Sequence, residues 1–255
     1  AVSRGRVPAD YAASLDAGAL RGARIGVARK KLFGASEAVD ALLEEAVAEM
    51  RRRGAVMVDP ADIPHLGEYD EAELEGMLYA LKDGLARYLA DWAPGAEADG
   101  LGDLIAFNQR HRDREMPFFG QDLFEKAARK GPLTERAYRR ALARARRLAG
   151  KEGLEAVMDR HRLDAIVAPT GGPAWVTDLV NGDHFVLGSS APAAVAGTPA
   201  VTVPAGQAFG LPVGITFMGR AWSEGKLLGL AYAYEQATRH RRPPSLAAEV
   251  DLGAR

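Results

Sequence analysis

The chain contains no cysteine. Disulfides, thiolate nucleophiles, cysteine-ligated zinc and iron–sulfur clusters are therefore excluded, and a reducing cytoplasm is the expected compartment. It also lacks an excess of either charge: 33 Lys+Arg stand against 34 Asp+Glu, a formal net charge of -1. Neither nucleic acid nor an anionic membrane is expected as a partner on that balance. No long uninterrupted apolar run occurs. The most apolar stretch, Ala191 to Ile215, is cut by Pro192, Pro199, Pro204 and Pro212, which rules it out as a spanning helix. The first twenty residues carry Asp10 and Asp16 with no apolar h-region, so no secretory signal is expected. The five histidines, His65, His111, His161, His184 and His240, never fall at metal-ligand spacing, so no metal is expected. A phosphate-binding Gly-Lys-Ser/Thr loop and a Gly-x-Gly-x-x-Gly fingerprint are missing too, and no cofactor is expected.

What is present is globular. Hydrophobic residues make up 47% and charged residues 26% of 255 positions, enough for one large domain or two small ones. With no composition break, a single α/β domain over 1–255 is the expectation. Ala23–Ala28 reads as a strand. Ser36 then stands as N-cap before Val39, Leu42, Leu43, Ala46, Val47 and Met50 at helical spacing, with Gly54 past the helix end. Ala55–Val58 follows as a second strand, which makes a parallel βαβ unit. The middle is helical: Leu74, Met77, Leu78, Leu81, Leu85, Tyr88, Leu89 and Trp92 form one apolar stripe, and shorter helices are expected at 104–109 and 121–128. A long helix from a Thr134 cap to about His161 carries Arg136, Arg139, Arg140, Arg144, Arg146, Arg147 and Lys151. Ala and Leu fill its remaining positions, so this basic stripe is read as a solvated face.

The run Asp164–Ala168 is unbroken and apolar, as suits a strand buried on both faces. It ends in Pro169-Thr170-Gly171-Gly172-Pro173. A short helix at Ala191–Ala196 is expected next, then strands at Ala200–Val203 and Val213–Met218 joined by a Gly/Pro loop. A last helix, capped by Ser223, directs Leu227, Leu228, Ala231 and Tyr234 to a core. The fold expected is a mixed, largely parallel sheet flanked by helices. Ser189 and Ser190, with Asp183 and His184 close in sequence, invite a triad reading. Triad partners converge from separate elements, so these serines are read instead as shaping a turn and capping Ala191–Ala196.

Several segments in order carry a resemblance: LDAIVAPTGGPAW (163–175), LVNGDHF (179–185), APAAVAGTPAVTVPAG (191–206) and LPVGITFMGRAWSEGKLLGLAYAYEQAT (211–238). Upstream, Leu20–Val27 and Phe119–Phe124 fit the same pattern. Together they resemble the C-terminal half of amidase signature enzymes, from about Ala9 to Pro244, and the NGDHF segment resembles the amidase and peptide-amidase branch. The resemblance implies hydrolysis of a carboxamide to acid and ammonia by a Ser nucleophile, a second Ser in a cis peptide, and a Lys. Those groups lie in a Gly/Ser-rich signature and a Lys-bearing segment upstream of everything matched here. This chain has no Gly-Gly-Ser-Ser-Gly-Gly run, and its seven lysines all sit in regions matching the non-catalytic half. The resemblance therefore implies no catalytic residue in this chain and a missing N-terminal half as its partner.

Substrate binding is what remains. Open α/β sheets take ligands beyond the carboxyl ends of their strands, and Thr170 and Gly171 form such an end. Trp175, Asn181, Asp183 and His184 follow on the same connection, with Phe119 from the middle region as a pocket wall. A small amide or peptide amide is the expected ligand, and self-association is expected from the exposed edge left by the missing half. The alternatives are a tRNA-dependent amidotransferase, of which this would be the A chain, and a non-catalytic α/β module.

Overall fold

A computed structural model describes residues 2–244 of the chain. Among them, five strands form one mixed sheet in the order β2-β1-β3-β5-β4. β1 (Arg24–Val27) and β2 (Val56–Val58) flank α1 (Glu37–Arg52) and pair in parallel, which gives the expected βαβ unit. Ser36 occupies the N-cap position in extended backbone, though its side chain makes no capping hydrogen bond. Gly54 ends the helix at φ 90°, the left-handed conformation glycine tolerates best.

β3 (Ala165–Pro169) pairs with β1 in parallel and with β5 (Leu211–Met218) antiparallel, and β4 (Ala200–Ala208) closes the sheet antiparallel to β5. The sheet is mixed, as expected. The balance differs from expectation, because the two antiparallel ladders are longer than the two parallel ones. The cause is local. Rather than a Gly/Pro loop, a two-residue turn at Phe209-Gly210 joins β4 to β5, with φ 54° and 74°. Positive φ at both central residues is what a type I′ hairpin turn requires.

Every residue of β3 is buried, and alternate residues serve opposite cores. Ala165 and Val167 join Ile25, Val27, Ile215 and Phe217 beneath α1 and α9 (Glu224–Thr238). Ile166 and Ala168 face the other way with Met218, Leu154, Val157 and Met158. That second layer comes from the long helix expected from the sequence, which is not uniform. α6 (Arg136–Arg146) runs into a π-helical segment, Arg147–Leu154, before α7 (Glu155–His161). The wider π turn buries Gly150 and Gly153. A Cβ on Gly150 would lie 3.4 Å from the Ala196 Cβ of α8 (Ala191–Ala196), so the small residues permit close approach of the two helices.

The described residues divide into two compact units. The sheet and its flanking helices form one. The other comprises Gly67–Ala145 with Asp178–Gly182: α2 (Asp70–Trp92), α3 (Leu101–Arg110), α4 (Arg112–Glu115), α5 (Asp122–Ala128) and most of α6. Its small core joins Leu78, Leu101 and Ala127 to Leu85, Ile105 and Phe124. Tyr79 donates to Glu135 Oε2 at 2.6 Å, and Lys130 bridges to Glu75 at 2.6 Å. The apolar stripe of α2 is only partly used. Leu78 is buried, whereas Met77 is 53% and Trp92 78% exposed.

Asp164, at the entry to β3, ties three elements. Its carboxylate accepts from the Arg24 backbone N–H at 2.9 Å and from Lys226 Nζ of α9 at 2.5 Å. Burial works against the charge, but the bonds from Lys226 and Arg24 outweigh it and hold the carboxyl below its ordinary 3.8. A lowered folded-state value means the contribution is present above that ordinary value and is lost as pH falls through the lowered one. Asp164→Asn is expected to lower stability by about 1 kcal/mol at neutral pH, since the pair is partly solvated. Thermal melts of both proteins should converge as pH falls through that lowered value; a gap that persisted in stronger acid would assign the loss to packing instead of charge.

Candidate functional site

The carboxyl end of β3 is fixed from both sides. Thr170 N–H donates to Gly214 O at 2.9 Å, and its own carbonyl accepts from Ser189 N–H at 3.2 Å. Gly171 and Gly188 then form an isolated antiparallel bridge, so the connection after β3 leaves and returns at one point. Thr170 Oγ1 lies 2.8 Å from Thr216 Oγ1, which lies 2.9 Å from Thr202 Oγ1. The three hydroxyls make a ladder across β3, β5 and β4. Gly214 makes room for it: a Cβ there would stand 2.7 Å from Thr170 Oγ1 and 2.8 Å from Thr202 Cγ2.

Three of the expected site residues converge along the connection. The Trp175 indole N–H donates to Asp183 Oδ1 at 3.2 Å. Its ring meets Phe185 edge-on, with centroids 6.3 Å apart. Trp175 and His184 both line a cleft of about 500 Å³ with Ser36, Pro173, Val186, Phe209 and Leu211. Glycines shape this wall as well. A Cβ on Gly172 would collide with Val186, and one on Gly188 would sit 3.2 Å from the Phe185 ring.

The remaining expected residues have other roles or places. Thr170 spends its hydroxyl on the ladder, and Gly171 its backbone on the bridge. Asn181 belongs to the second unit, where its N–H and side-chain amide both donate to Asp178, at 2.8 and 2.9 Å. Phe119 belongs to that unit too and is 75% exposed. Ser190 precedes α8 in helical backbone and makes no side-chain capping bond, contrary to expectation. Ser189 is fully buried, and its Oγ has no hydrogen-bond partner among the described residues. A hydroxyl shut off from solvent and bonded to no base lacks what a nucleophile needs.

Of the cleft residues only Trp175 and His184 were expected from the sequence; Ser36, Val186, Phe209 and Leu211 are among those that were not. Gly210 between two apolar runs was the available signal, but Phe209 before it concealed the turn, since Asn, Asp or Gly is the usual residue at that place. Among the described residues no group of three or more His, Asp or Glu side chains is placed to hold a metal. No described helix is long and apolar enough to cross a membrane.

Comparison with known proteins agrees with the geometry. The Amidase family profile matches residues 3–228. The solved native peptide amidase from Stenotrophomonas maltophilia is 49% identical, with a TM-score of 0.86 over 94% of this chain and 48% of that one. An Arabidopsis thaliana protein named "Probable amidase" is 30% identical over 246 residues, covering 93% of this chain and 42% of its own. The A chain of the Pseudomonas fluorescens glutamyl-tRNA(Gln) amidotransferase is 29% identical over 92% of this chain and 49% of its own. The chain thus spans about half the length of each. With a family match over most of its length and a sheet that superposes on a peptide amidase, this chain belongs to the amidase signature family.

Proposed function

We propose that the chain is the C-terminal, substrate-binding portion of an amide hydrolase that cleaves a carboxamide C–N bond, releasing acid and ammonia. The observation that carries the reading is the 49% identity to a peptide amidase along 94% of this chain, confined to 48% of that protein. In the mechanism the family resemblance implies, a serine of the other half attacks the amide carbonyl and the leaving amine takes a proton. Water then hydrolyses the acyl-serine. The nucleophile, its second serine and the lysine lie outside this chain on our reading, so its residues bind and orient the amide.

Asp183 is assigned to positioning. By accepting from the Trp175 indole N–H it holds that ring in the cleft wall, and a side chain fixed in one rotamer binds a ligand at lower entropic cost. A tRNA-dependent amidotransferase, with this chain as part of its A component, is the second reading, favoured by the Pseudomonas relative. Stable co-purification with further components would decide for it.

The test is direct. The 255-residue chain is expected to release no ammonia from amidated dipeptides, because a buried serine without a base has no route to an acyl-enzyme. Turnover that disappears in Ser189→Ala would overturn the assignment of the chemistry to another half.

The reading also implies an uncovered surface. Leu74, Met77, Leu81, Tyr88 and Trp92 leave α2 with exposed apolar side chains, and β4 ends the sheet as an edge strand. Exposed edges and apolar patches promote association between chains. Light scattering on the isolated chain should report species larger than 27.2 kDa at micromolar concentration, reduced by Trp92→Lys. A strictly monomeric chain that binds no hydrophobic dye would contradict the expectation.

A further inference from the structure

A second cavity lies at the other end of β3 from the connection that carries Trp175. It occupies about 520 Å³ between the N-terminal segment, the amino ends of β1 and β3, and the first two turns of α9. Asp164 stands just before β3 and Thr170 just after it. The five residues of the strand, at about 3.3 Å each, set its two ends about 16 Å apart. Glycines of α9 shape the cavity. A Cβ on Gly225 would stand 2.7 Å from Ser14 Oγ, and one on Gly229 would stand 2.8 Å from Ser14 O. Bare backbone at both positions lets the single 3-10 turn Ala12–Ser14 settle on the helix. The chain then borders the cavity with Asp16, Ala19 and Arg21 before it enters β1.

Charged side chains of both signs line this space: Asp16 and Asp164 against Arg21 and Lys226. One pair is already satisfied, since Lys226 Nζ donates to Asp164 Oδ1 at 2.5 Å. The other two charges are not. Asp16 accepts from the Gly18 N–H at 2.8 Å through one oxygen and forms no ion pair among the described residues. The Arg21 side chain makes neither a hydrogen bond nor an ion pair among the described residues, so the two do not pair with each other. Opposite charges that share a cavity and leave each other unpaired suit a ligand that carries both. Ser14 Oγ, also without a partner among the described residues, adds a neutral donor and acceptor. Ala19, Ala23 and Leu230 supply apolar surface beside them.

We infer that this cavity binds a small zwitterion, an α-amino acid with an apolar side chain. Its volume lies within the range of small-molecule sites, which combine apolar walls with a few placed polar groups. The ligand carboxylate takes the paired N–H groups of the Arg21 guanidinium, whose planar fork matches it. The ligand ammonium donates to the free oxygen of Asp16, and its side chain covers Ala19 and Leu230. Lys226 and Asp164 neutralise each other, so the demand for both charges comes from Arg21 and Asp16. A ligand with one charge answers one of these groups and leaves the other without a partner. The inference is independent of the amidase reading, because it concerns the far end of β3 and its test reads binding without turnover.

The experiment titrates L-leucine, N-acetyl-L-leucine and L-leucinamide into the 255-residue chain by calorimetry, at neutral pH and low salt. L-Leucine carries both charges, acetylation removes the ammonium, and amidation removes the carboxylate. L-Leucine is expected to bind at least about 10-fold tighter than either of the others, the loss that follows removal of one charged hydrogen-bonding group. Arg21→Gln should erase the advantage over leucinamide and keep the advantage over N-acetylleucine. Asp16→Asn should do the reverse, and its amide oxygen still accepts from the Gly18 N–H, so the turn survives. Both side chains are exposed, and melting temperatures should stay within a degree or so of the parent chain, as surface substitutions usually do. Equal binding of the three probes, or no binding of L-leucine, overturns the assignment. A preference for L-leucine that survives in full in both variants overturns it as well. The probe series on the parent chain decides the matter by itself if a variant melts early.

Discussion

Phe217→Ala is expected to destabilise the chain by about 3–5 kcal/mol, the cost of truncating a fully buried phenylalanine. Phe217 is 0% exposed on β5, paired with Val167 on one side and Val201 on the other. Its ring lies 6.2 Å from that of Tyr234 on α9, and both join the core that also receives Val39, Leu43 and Met50 from α1. Three elements therefore lose a common contact, and the sheet around it cannot collapse without shifting two ladders. Chemical denaturation should show a lower midpoint with an unchanged slope. A loss under about 1 kcal/mol would mean that β5 is not the centre of this unit.

Gly214→Val is expected to cost about 2–5 kcal/mol, from overpacking and from a broken hydroxyl ladder together. The added Cβ would stand 2.7 Å from Thr170 Oγ1 and 2.8 Å from Thr202 Cγ2, and neither neighbour is a flexible side-chain end. Pushing Thr170 away leaves Thr216, 3% exposed, with one partner fewer in a dry sheet. The effect should also reach the cleft, because Thr170 is the root of the connection that carries Trp175. A near-neutral Gly214→Val would show that the ladder tolerates rearrangement and does not fix the end of β3.

These two sites show which parts of the molecule were legible in the sequence. β3 was legible because a short unbroken apolar run is most at ease in a strand covered on both faces. α1 was legible because Val39, Leu43, Ala46, Val47 and Met50 repeat at helical spacing and all prove buried. The π-helical segment Arg147–Leu154 was not, since a slightly wider turn leaves Ala- and Leu-rich periodicity almost unaltered. The antiparallel half of the sheet was hidden for another reason. Pro204, Gly206, Gly210 and Pro212 read as a loop, yet Pro204–Gly206 marks a register shift and Pro212 is paired near the hairpin tip. The stripe on α2 carried the correct helix but not its surroundings, because periodicity reports an apolar face and not what covers it.

For the site, sequence position located the connection after β3 and its Trp175, Asp183 and His184. It did not reveal that Asp183 serves Trp175, nor that Phe209 and Ser36, distant in sequence, complete the same cleft. Side-chain pairing across separate elements is a property of the packed chain, and a single sequence does not print it.

The most direct measurement of the central claim joins the N-terminal half of the Stenotrophomonas maltophilia peptide amidase to Ala1 of this chain and follows ammonia release from amidated dipeptides. The account predicts hydrolysis by the joined protein and none by the 255-residue chain alone. A joined protein that is cooperatively folded yet hydrolyses no amide, or a lone chain that does, would contradict it.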